Sequence, residues 1–203
     1  MPNQLEELLA NYIPQPLGEK RCFSVLLPLV WSENQWRVLY QVRSESISQP
    51  GEVSFPGGGV EEGETPQQAA VREAVEELNI QPEQIDILGE IDYLVFERST
   101  IHCFVGRLNL DWMTIVPNEE VARIFTVPLS TLLTIQPVYY QLDSKVVPEC
   151  DFPFERLRGG ISYPFSYQKR SIPFYEQLPE NIWGMTAQFT HRFTEIINQQ
   201  TSP

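Results

Sequence analysis

The sequence contains few cysteines, few basic residues and no long hydrophobic run. Its three cysteines, Cys22, Cys103 and Cys150, are far apart and form no CxxC motif, so we expect neither a disulfide framework nor a zinc cluster. Residues 1–20 have neither a basic region nor a continuous apolar region, and no apolar run reaches about eighteen residues. These absences predict a soluble, cytoplasmic protein without a signal peptide or a membrane span.

Basic residues are outnumbered by acidic ones, which limits the partners that the protein can have. The chain of 203 residues has 14 Lys and Arg against 27 Asp and Glu, a net charge of −13. A field of this sign repels phosphate, so we expect no general binding of nucleic acid or of anionic membranes. A phosphorylated substrate would need metal cations or a local basic patch.

Hydrophobic periodicity and turn residues predict a chain of alternating strands and helices. Strands are expected at residues 23–31 and 36–42, forming a hairpin, and at 85–91, 93–96 and 101–108, with a turn or strand at 120–125. Helices are expected at residues 4–12, 65–78 and 183–197, with a helical turn at 130–133. The Pro-Gly-Gly-Gly stretch at 56–59 predicts a flexible loop, and the aromatic segment 137–178 predicts a packed, irregular hairpin.

The helix at residues 65–78 carries three carboxylates on one face. Thr65 is a favourable N-cap, and Asn79 can end the helix in the left-handed conformation. Glu73, Glu76 and Glu77 stand at i, i+3 and i+4, so their side chains project from the same side. Like charges at this spacing repel each other unless a hard cation such as Mg²⁺ or Mn²⁺ lies between them. A solvated acidic face is the alternative interpretation of the same residues.

The residues around these carboxylates match the Nudix box, G-x5-E-x7-R-E-U-x-E-E-x-G-U, where U is a bulky aliphatic residue. The matching positions are Gly58, Glu64, Arg72, Glu73, Glu76 and Glu77. Ala74 replaces the aliphatic residue, which we expect to affect packing only. Asn79 replaces the last glycine, and the helix end should survive because asparagine tolerates positive φ. The sequence therefore resembles the Nudix hydrolases, which cleave nucleoside diphosphates linked to another moiety.

This resemblance implies a fold and a set of site residues. The fold class would be α/β (α+β), with a mixed, mostly antiparallel sheet sandwiched between helices. Residues 1–203 would form a single domain, with its core at about 21–135 and 180–198 and an aromatic, locally basic insert at about 137–178. The metal, Mg²⁺ or Mn²⁺, would be held by Glu73, Glu76, Glu77 and the carbonyl of Gly57.

The resemblance also implies the catalytic residues. They would be Glu76, Arg72 and Glu120, with Arg72 paired to Glu64 so that the loop is fixed against the helix. Glu120 would act as the general base, because its position fits an E-V-A stretch of the family. For the adjacent Glu119 a solvated role is expected, but the two remain alternatives.

A second resemblance reduces the number of candidate substrates. Residues 39–58 resemble the signature of the coenzyme A diphosphatase branch, with matches at Arg43, Ser44, Gly51 and the stretch 55–58. The interval from Arg43 to Gly51 is one residue shorter than in that signature and lacks its second arginine. Residues 120–129 and 181–187 resemble the same branch. The implied reaction is metal-dependent hydrolysis of the diphosphate of coenzyme A or acyl-coenzyme A, giving a 4′-phosphopantetheine and adenosine 3′,5′-bisphosphate.

A basic cluster in the insert offers further candidates for substrate binding. Arg156, Arg158, Lys169 and Arg170 fall within fifteen residues that contain no Asp or Glu. Together with Arg43 and Ser44, Arg156 and Arg158 are the candidate substrate-binding residues, since a guanidinium suits the 3′-phosphate of coenzyme A. The alternative is a solvated surface hairpin.

Two other functions stay open at this stage. One is a Nudix diphosphatase for ADP-ribose or a nucleotide sugar, an alternative that the missing second arginine keeps open. The other is a non-catalytic Nudix sensor that binds a nucleotide, although all box carboxylates are present. The expected partner is a small nucleotide diphosphate, neither nucleic acid nor a membrane, and a homodimer is left open.

Overall fold

The first two strands form the hairpin that the sequence predicts. In the computed structural model, which describes residues 6, 8–13, 21–96, 98–143, 150–165 and 169–201, β1 (Arg21–Ser32) and β2 (Gln35–Arg43) pair antiparallel. The turn residues Glu33 and Asn34 have φ of 53° and 57°. Two successive positive φ angles are the geometry of a type I′ turn, whose twist matches that of the strands it joins.

Eight strands form one mixed sheet. Besides β1 and β2, its strands are β3 (Val53–Ser54), β4 (Gly57–Gly59), β5 (Ile85–Glu90), β6 (Leu94–Val95), β7 (Ser99–Leu108) and β8 (Val121–Pro128). The central path is β3-β2-β1-β7-β5, with β4 beside β1, β6 beside β7 and β8 beside β2. The β1–β7 pair is parallel and the other pairs of the described strands are antiparallel, as expected for this fold class.

Helices cover both faces of this sheet. The described helices are α1 (Pro66–Leu78), α2 (Leu129–Leu132) and α3 (Gly184–Thr201). Alternate residues of β1 enter two separate apolar clusters, because successive side chains of a strand point to opposite faces. Leu27 packs with Phe189 and Phe193 of α3, and Leu26 packs with Leu78 of α1. None of the described helices is both long and apolar enough to cross a membrane.

Two predictions about secondary structure need correction or limitation. Residues 57–59 are not a flexible loop but the strand β4, which pairs antiparallel with residues 23–25 of β1. Glycine is required at the first of these positions, because a Cβ on Gly57 would lie 2.5 Å from the Ser24 carbonyl oxygen. In the N-terminal helix predicted at 4–12, residues 6 and 8–10 are helical and exposed, whereas residues 11 and 12 are not helical. Residues 4, 5 and 7 lie outside the described residues.

The segment predicted as a packed hairpin is a hairpin, but its first strand is exposed. The strands β9 (Val138–Asp143) and β10 (Lys169–Phe174) form a separate antiparallel sheet in continuous register. Tyr139 is 44% and Tyr140 50% exposed, so the aromatic residues of β9 do not form a buried layer. Residues 144–149 and 166–168, which belong to the predicted insert, lie outside the described residues.

Candidate active site

Capping residues at both ends fix the position of α1. Thr65 accepts a hydrogen bond from the Gln68 amide at 3.2 Å, and Gln68 accepts one from the Thr65 amide at 2.8 Å, which completes a capping box. Asn79 ends the helix with φ 51° and ψ 46°, as its tolerance of the left-handed region predicts. Its side-chain amide also donates to the Val116 carbonyl at 3.0 Å, so the loop before β8 is tied to the end of α1.

The glycines of β4 let the helix and the sheet come into close contact. A Cβ on Gly58 would lie 2.2 Å from the Glu73 Oε1 atom, so only glycine leaves this carboxylate in place. In the antiparallel pairing of β1 with β4, Gly58 and Ser24 form a hydrogen-bonded pair. Gly57 and Gly59 lie in the non-hydrogen-bonded pairs on either side of it. The backbone groups of Gly57 and Gly59 therefore face away from β1 and are available to the residues of α1.

Arg72 joins the loop before α1 to the helix itself. Its guanidinium donates to both carboxylate oxygens of Glu64, at 3.0 and 3.1 Å, and to the Gly59 carbonyl at 2.9 Å. It also donates to Glu73 at 2.9 Å and to Glu76 at 3.4 Å. Hydrogen bonding to Arg72 lowers the pKa of Glu64. These contacts join the loop before α1, the strand β4 and the helix itself, which agrees with the pairing of Arg72 and Glu64 that the resemblance implies.

Glu77 is a buried carboxylate at the centre of the site. Its residue surface is 4% exposed, and its Oε2 atom accepts hydrogen bonds from Gln41 Nε2 at 2.8 Å and from the Gly57 amide at 3.1 Å. Burial raises the pKa of Glu77 to about 7; the two hydrogen bonds oppose this shift, and repulsion from Glu73 and Glu120 adds to it. A buried acid near two other acids favours a bound cation, which would stabilise all three in the ionised form.

The other two carboxylates of α1 differ in exposure. Glu73 is 18% exposed at its side chain, and desolvation raises its pKa despite the hydrogen bond from Arg72. Glu76 is 56% exposed, and its one hydrogen bond within the described residues is the 3.4 Å contact to Arg72. Among the described residues no three acidic, histidine or cysteine side chains are already gathered around a common point. An ion held here would therefore require rotation of side chains, which the exposed Glu76 can make most readily.

The donors nevertheless fit the metal that the resemblance implies. Carboxylate and carbonyl oxygens are the ligands that Mg²⁺ and Mn²⁺ prefer. Glu73, Glu76 and Glu77 supply carboxylates from one helix face, as their spacing predicts. The Gly57 carbonyl lies on the same side of β4 as the Gly57 amide, which bonds to Glu77, so it faces this group.

Glu120 belongs to the same group of charges although it comes from a distant loop. Repulsion from Glu120 contributes to the raised pKa of both Glu73 and Glu77. The Asn118 side chain accepts a hydrogen bond from the Glu120 amide at 2.9 Å, and the Asn118 amide donates to the Glu77 carbonyl at 2.9 Å. This loop therefore carries Glu120 towards α1.

Arg43 and Ser44 lie at the end of β2, beside the Glu120 loop. The Ser44 amide donates to the Glu120 carbonyl at 2.9 Å. Arg43 Nε donates to the Ser48 carbonyl at 2.7 Å and Arg43 Nη2 to the Ser48 hydroxyl at 3.2 Å. Arg43 therefore shapes the loop that follows it, while its Nη1 group has no hydrogen-bond partner among the described residues.

Arg156 and Arg158 are not brought to this group by any described contact. Both side chains are exposed in residues 150–165, where the chain forms two short 3₁₀ turns, Phe154–Arg156 and Gly160–Ser162. The hydrogen bonds and ring contacts described for residues 150–165 all lie within that segment. Their predicted role in binding the 3′-phosphate thus stays a prediction.

Sequence reasoning missed Gln41 and Asn118. Gln41 is 1% exposed and contacts Glu77, and Asn118 connects Glu77 to Glu120. The available signal for Gln41 was a polar residue within the apolar strand LYQV, where a buried amide needs a specific partner. Asn118 gave no comparable signal, because asparagine is common in loops for reasons of backbone conformation.

Comparison with known proteins shows the family to which the chain belongs. The model of the NUDIX domain matches residues 20–149. Nudix hydrolase 3 of Caenorhabditis elegans is 26% identical over 185 residues, covering 86% of this chain and 72% of that protein. The Nudix hydrolase NudL of Enterobacter sp. (strain 638) is 34% identical over 142 residues, covering 68% of this chain and 72% of that protein.

Another relative carries a substrate in its name. The peroxisomal coenzyme A diphosphatase NUDT7 of Mus musculus is 36% identical over 122 residues, covering 59% of this chain. The alignment spans 51% of that protein, so the chain matches about half of its length. Among solved structures, a MutT/nudix family protein from Enterococcus faecalis aligns with 98% of this chain and 70% of its own. The TM-score is 0.51 and the sequence identity is 10%, so the similarity is one of fold alone.

Proposed function

The chain belongs to the Nudix family and is a hydrolase of pyrophosphate bonds in nucleoside diphosphate derivatives; from that premise we propose that its substrate is coenzyme A or an acyl-coenzyme A. The products would be a 4′-phosphopantetheine and adenosine 3′,5′-bisphosphate. Support comes from the name of the mouse relative and from the residues Arg43, Ser44 and Gly51, which match the signature of that branch.

The main observation that supports a metal-dependent reaction is the buried carboxylate of Glu77. It lies close to Glu73 and Glu120, and burial and repulsion raise its pKa to about 7. An acidic protein that cleaves an anionic diphosphate has to supply positive charge at the reacting phosphorus. We propose that Glu73, Glu76, Glu77 and the Gly57 carbonyl hold Mg²⁺ or Mn²⁺. The metal would neutralise the diphosphate and lower the pKa of the attacking water.

Two roles are proposed for the side chains around the metal ligands: holding the loop against α1, and accepting the proton of the attacking water. Arg72 and Glu64 keep the loop and α1 in a fixed relation, so the carboxylates stay aligned. We propose that Glu120 accepts the proton of the attacking water. The water oxygen forms a bond to one phosphorus while the bond from that phosphorus to the bridging oxygen breaks. The bridging oxygen leaves on the second phosphate, and two phosphate monoesters result.

Arg43 is the proposed contact to the nucleotide diphosphate. Its Nε atom is committed to the Ser48 carbonyl, so the guanidinium is held at the end of β2 beside the Glu120 loop. The Nη1 group has no hydrogen-bond partner among the described residues and can donate to a phosphate oxygen. The Ser44 amide fixes the position of the neighbouring Glu120 carbonyl.

ADP-ribose or a nucleotide sugar is the second candidate substrate. The interval between Arg43 and Gly51 has no second arginine, and Arg156 and Arg158 are in a segment whose described contacts are internal. Without cations placed near the site for the 3′-phosphate, selectivity for coenzyme A loses part of its physical basis.

A substrate panel tests this proposal. Initial rates would be measured with coenzyme A, acetyl-coenzyme A, ADP-ribose and a nucleotide sugar, with Mg²⁺ or Mn²⁺ and with EDTA as the control. Mass spectrometry of the products identifies the bond that is cleaved. We expect the highest kcat/KM with a coenzyme A substrate and no turnover with EDTA. Faster turnover of ADP-ribose would reject coenzyme A as the substrate, but the assignment as a diphosphatase would stand.

A further inference from the structure

Gln41 is a buried amide in a strand whose neighbouring residues are apolar. It lies between Tyr40 and Val42 of β2 and is 1% exposed, so it cannot touch a substrate. Its backbone is paired on both sides, with Ser54 of β3 and with Ile124 of β8. This position is rigid, and the side chain can act only through a neighbouring group.

That neighbour is Glu77, and the contact is specific to one oxygen. Gln41 Nε2 donates to Glu77 Oε2 at 2.8 Å, and the Gly57 amide donates to the same oxygen at 3.1 Å. In the described part of the chain no hydrogen bond reaches Glu77 Oε1. One oxygen of the carboxylate is thus held by two donors, and the other is left for an external ligand.

Gln41 brings one polar atom into the core that the contact to Glu77 does not satisfy. Its Oε1 atom is buried and has no hydrogen-bond partner among the described residues, and the same is true of the hydroxyl of Ser54 opposite it. An unpartnered buried acceptor costs free energy, and an apolar side chain of the same volume avoids that cost. The contact that Gln41 makes to Glu77 offers a functional reason for its presence.

We propose that Gln41 is a positioning residue for the divalent cation of this site, an inference that rests on the proposed metal-dependent function. Together with the Gly57 amide, it fixes the orientation of the Glu77 carboxylate so that Oε1 is directed to the ion. Groups that orient a metal ligand through a hydrogen bond typically change metal affinity by about 10- to 100-fold when they are removed.

Direct metal binding tests the assignment without turnover. Binding of Mn²⁺ to the full chain would be followed by electron paramagnetic resonance, in the absence of substrate, for the wild type and for Gln41→Met. The Met side chain keeps the volume and removes the donor. We expect the Kd for Mn²⁺ to rise about 10-fold. The unfolding temperature of the metal-free protein is recorded as a check of folding, because the lost hydrogen bond to Glu77 lowers it and the removal of the unpartnered Gln41 Oε1 raises it.

A matched control and a second variant complete the design. Gln141→Met removes an exposed glutamine that donates to the Ser171 hydroxyl at 2.9 Å in the separate β9–β10 sheet, and it should leave the Kd unchanged. If Gln41→Met does not fold, Gln41→Asn keeps the amide but shortens its reach by one carbon and should weaken binding similarly.

The possible outcomes separate this inference from the proposed function. If the wild type binds Mn²⁺ and the folded Gln41 variants bind it equally well, the positioning role is rejected and the proposed function stands. If the wild type binds no Mn²⁺, the metal-dependent function is rejected together with this inference. A weaker Kd in a folded Gln41 variant, with an unchanged Kd in Gln141→Met, supports the role, since a purely structural residue would leave the affinity unchanged.

Discussion

Removing the charge of Glu77 should stabilise the metal-free protein at neutral pH. The pKa of Glu77 in the folded protein is about 7, against an ordinary value of 4.5. Because the folded state holds the proton more tightly, the free energy of unfolding falls as pH rises from about 4.5 through 7. For a side chain that is almost fully buried, a rise of the pKa from 4.5 to about 7 corresponds to about 3 kcal/mol.

The variant Glu77→Gln measures this contribution. A glutamine stays neutral and its oxygen can still accept from Gln41 and from the Gly57 amide. In EDTA, we expect the two proteins to have similar stability near pH 4.5 and the variant to be more stable by up to about 3 kcal/mol near pH 8. Urea unfolding followed by tryptophan fluorescence at several pH values gives the difference directly.

A control variant and one outcome make the test decisive. Glu76→Gln is the control, because it removes a carboxylate of the same helix face that is 56% exposed. If the difference in stability between Glu77→Gln and the wild type is independent of pH, burial does not raise the pKa of Glu77. The physical argument for a cation at this position would then be wrong.

The remaining predictions concern the base, the glycine beneath the helix and the basic cluster. Glu120→Gln should lower kcat more than it raises KM, as for a group that acts in the transition state, and an equal or larger loss in Glu119→Gln would transfer the role to that residue. In Gly58→Ala the new Cβ would lie 2.2 Å from Glu73 Oε1, so the Glu73 carboxylate has to move. The affinity for Mn²⁺, measured by titration, should therefore fall, while the unfolding temperature should change little. If Arg156 and Arg158 bind the 3′-phosphate, kcat/KM should be about ten- to a hundredfold higher for coenzyme A than for dephospho-coenzyme A, and Arg156→Ala and Arg158→Ala should reduce that ratio. Equal treatment of both substrates by the wild type would show that these arginines form a solvated surface only.

The helix α1 could be predicted from sequence because its signals are local. The capping residue Thr65 and the left-handed Asn79 act within one turn of the helix that they delimit. The spacing of Glu73, Glu76 and Glu77 alone places them on one face, whatever the helix packs against. The mixed sheet followed from the family resemblance and was confirmed by the pairing of the strands.

The parts that sequence did not predict depend on contacts between distant residues. Residues 57–59 read as a flexible loop because glycine permits many conformations, and pairing with β1 selects the extended one. The difference in burial between Glu76 and Glu77 comes from the sheet beneath the helix, where Gln41 and Gly57 donate hydrogen bonds to Glu77. Nothing in the spacing of the carboxylates distinguishes the buried one from the exposed one.

Turnover by Glu77→Gln tests the central claim most directly. The claim is that the carboxylate face of α1 holds the divalent cation through which the diphosphate is hydrolysed. With Mg²⁺ or Mn²⁺ and the best substrate of the panel, the variant should fold normally and show a kcat lower by several orders of magnitude, since metal activation of water supplies much of the barrier reduction. A folded Glu77→Gln protein with near-normal turnover would contradict the assignment of this site.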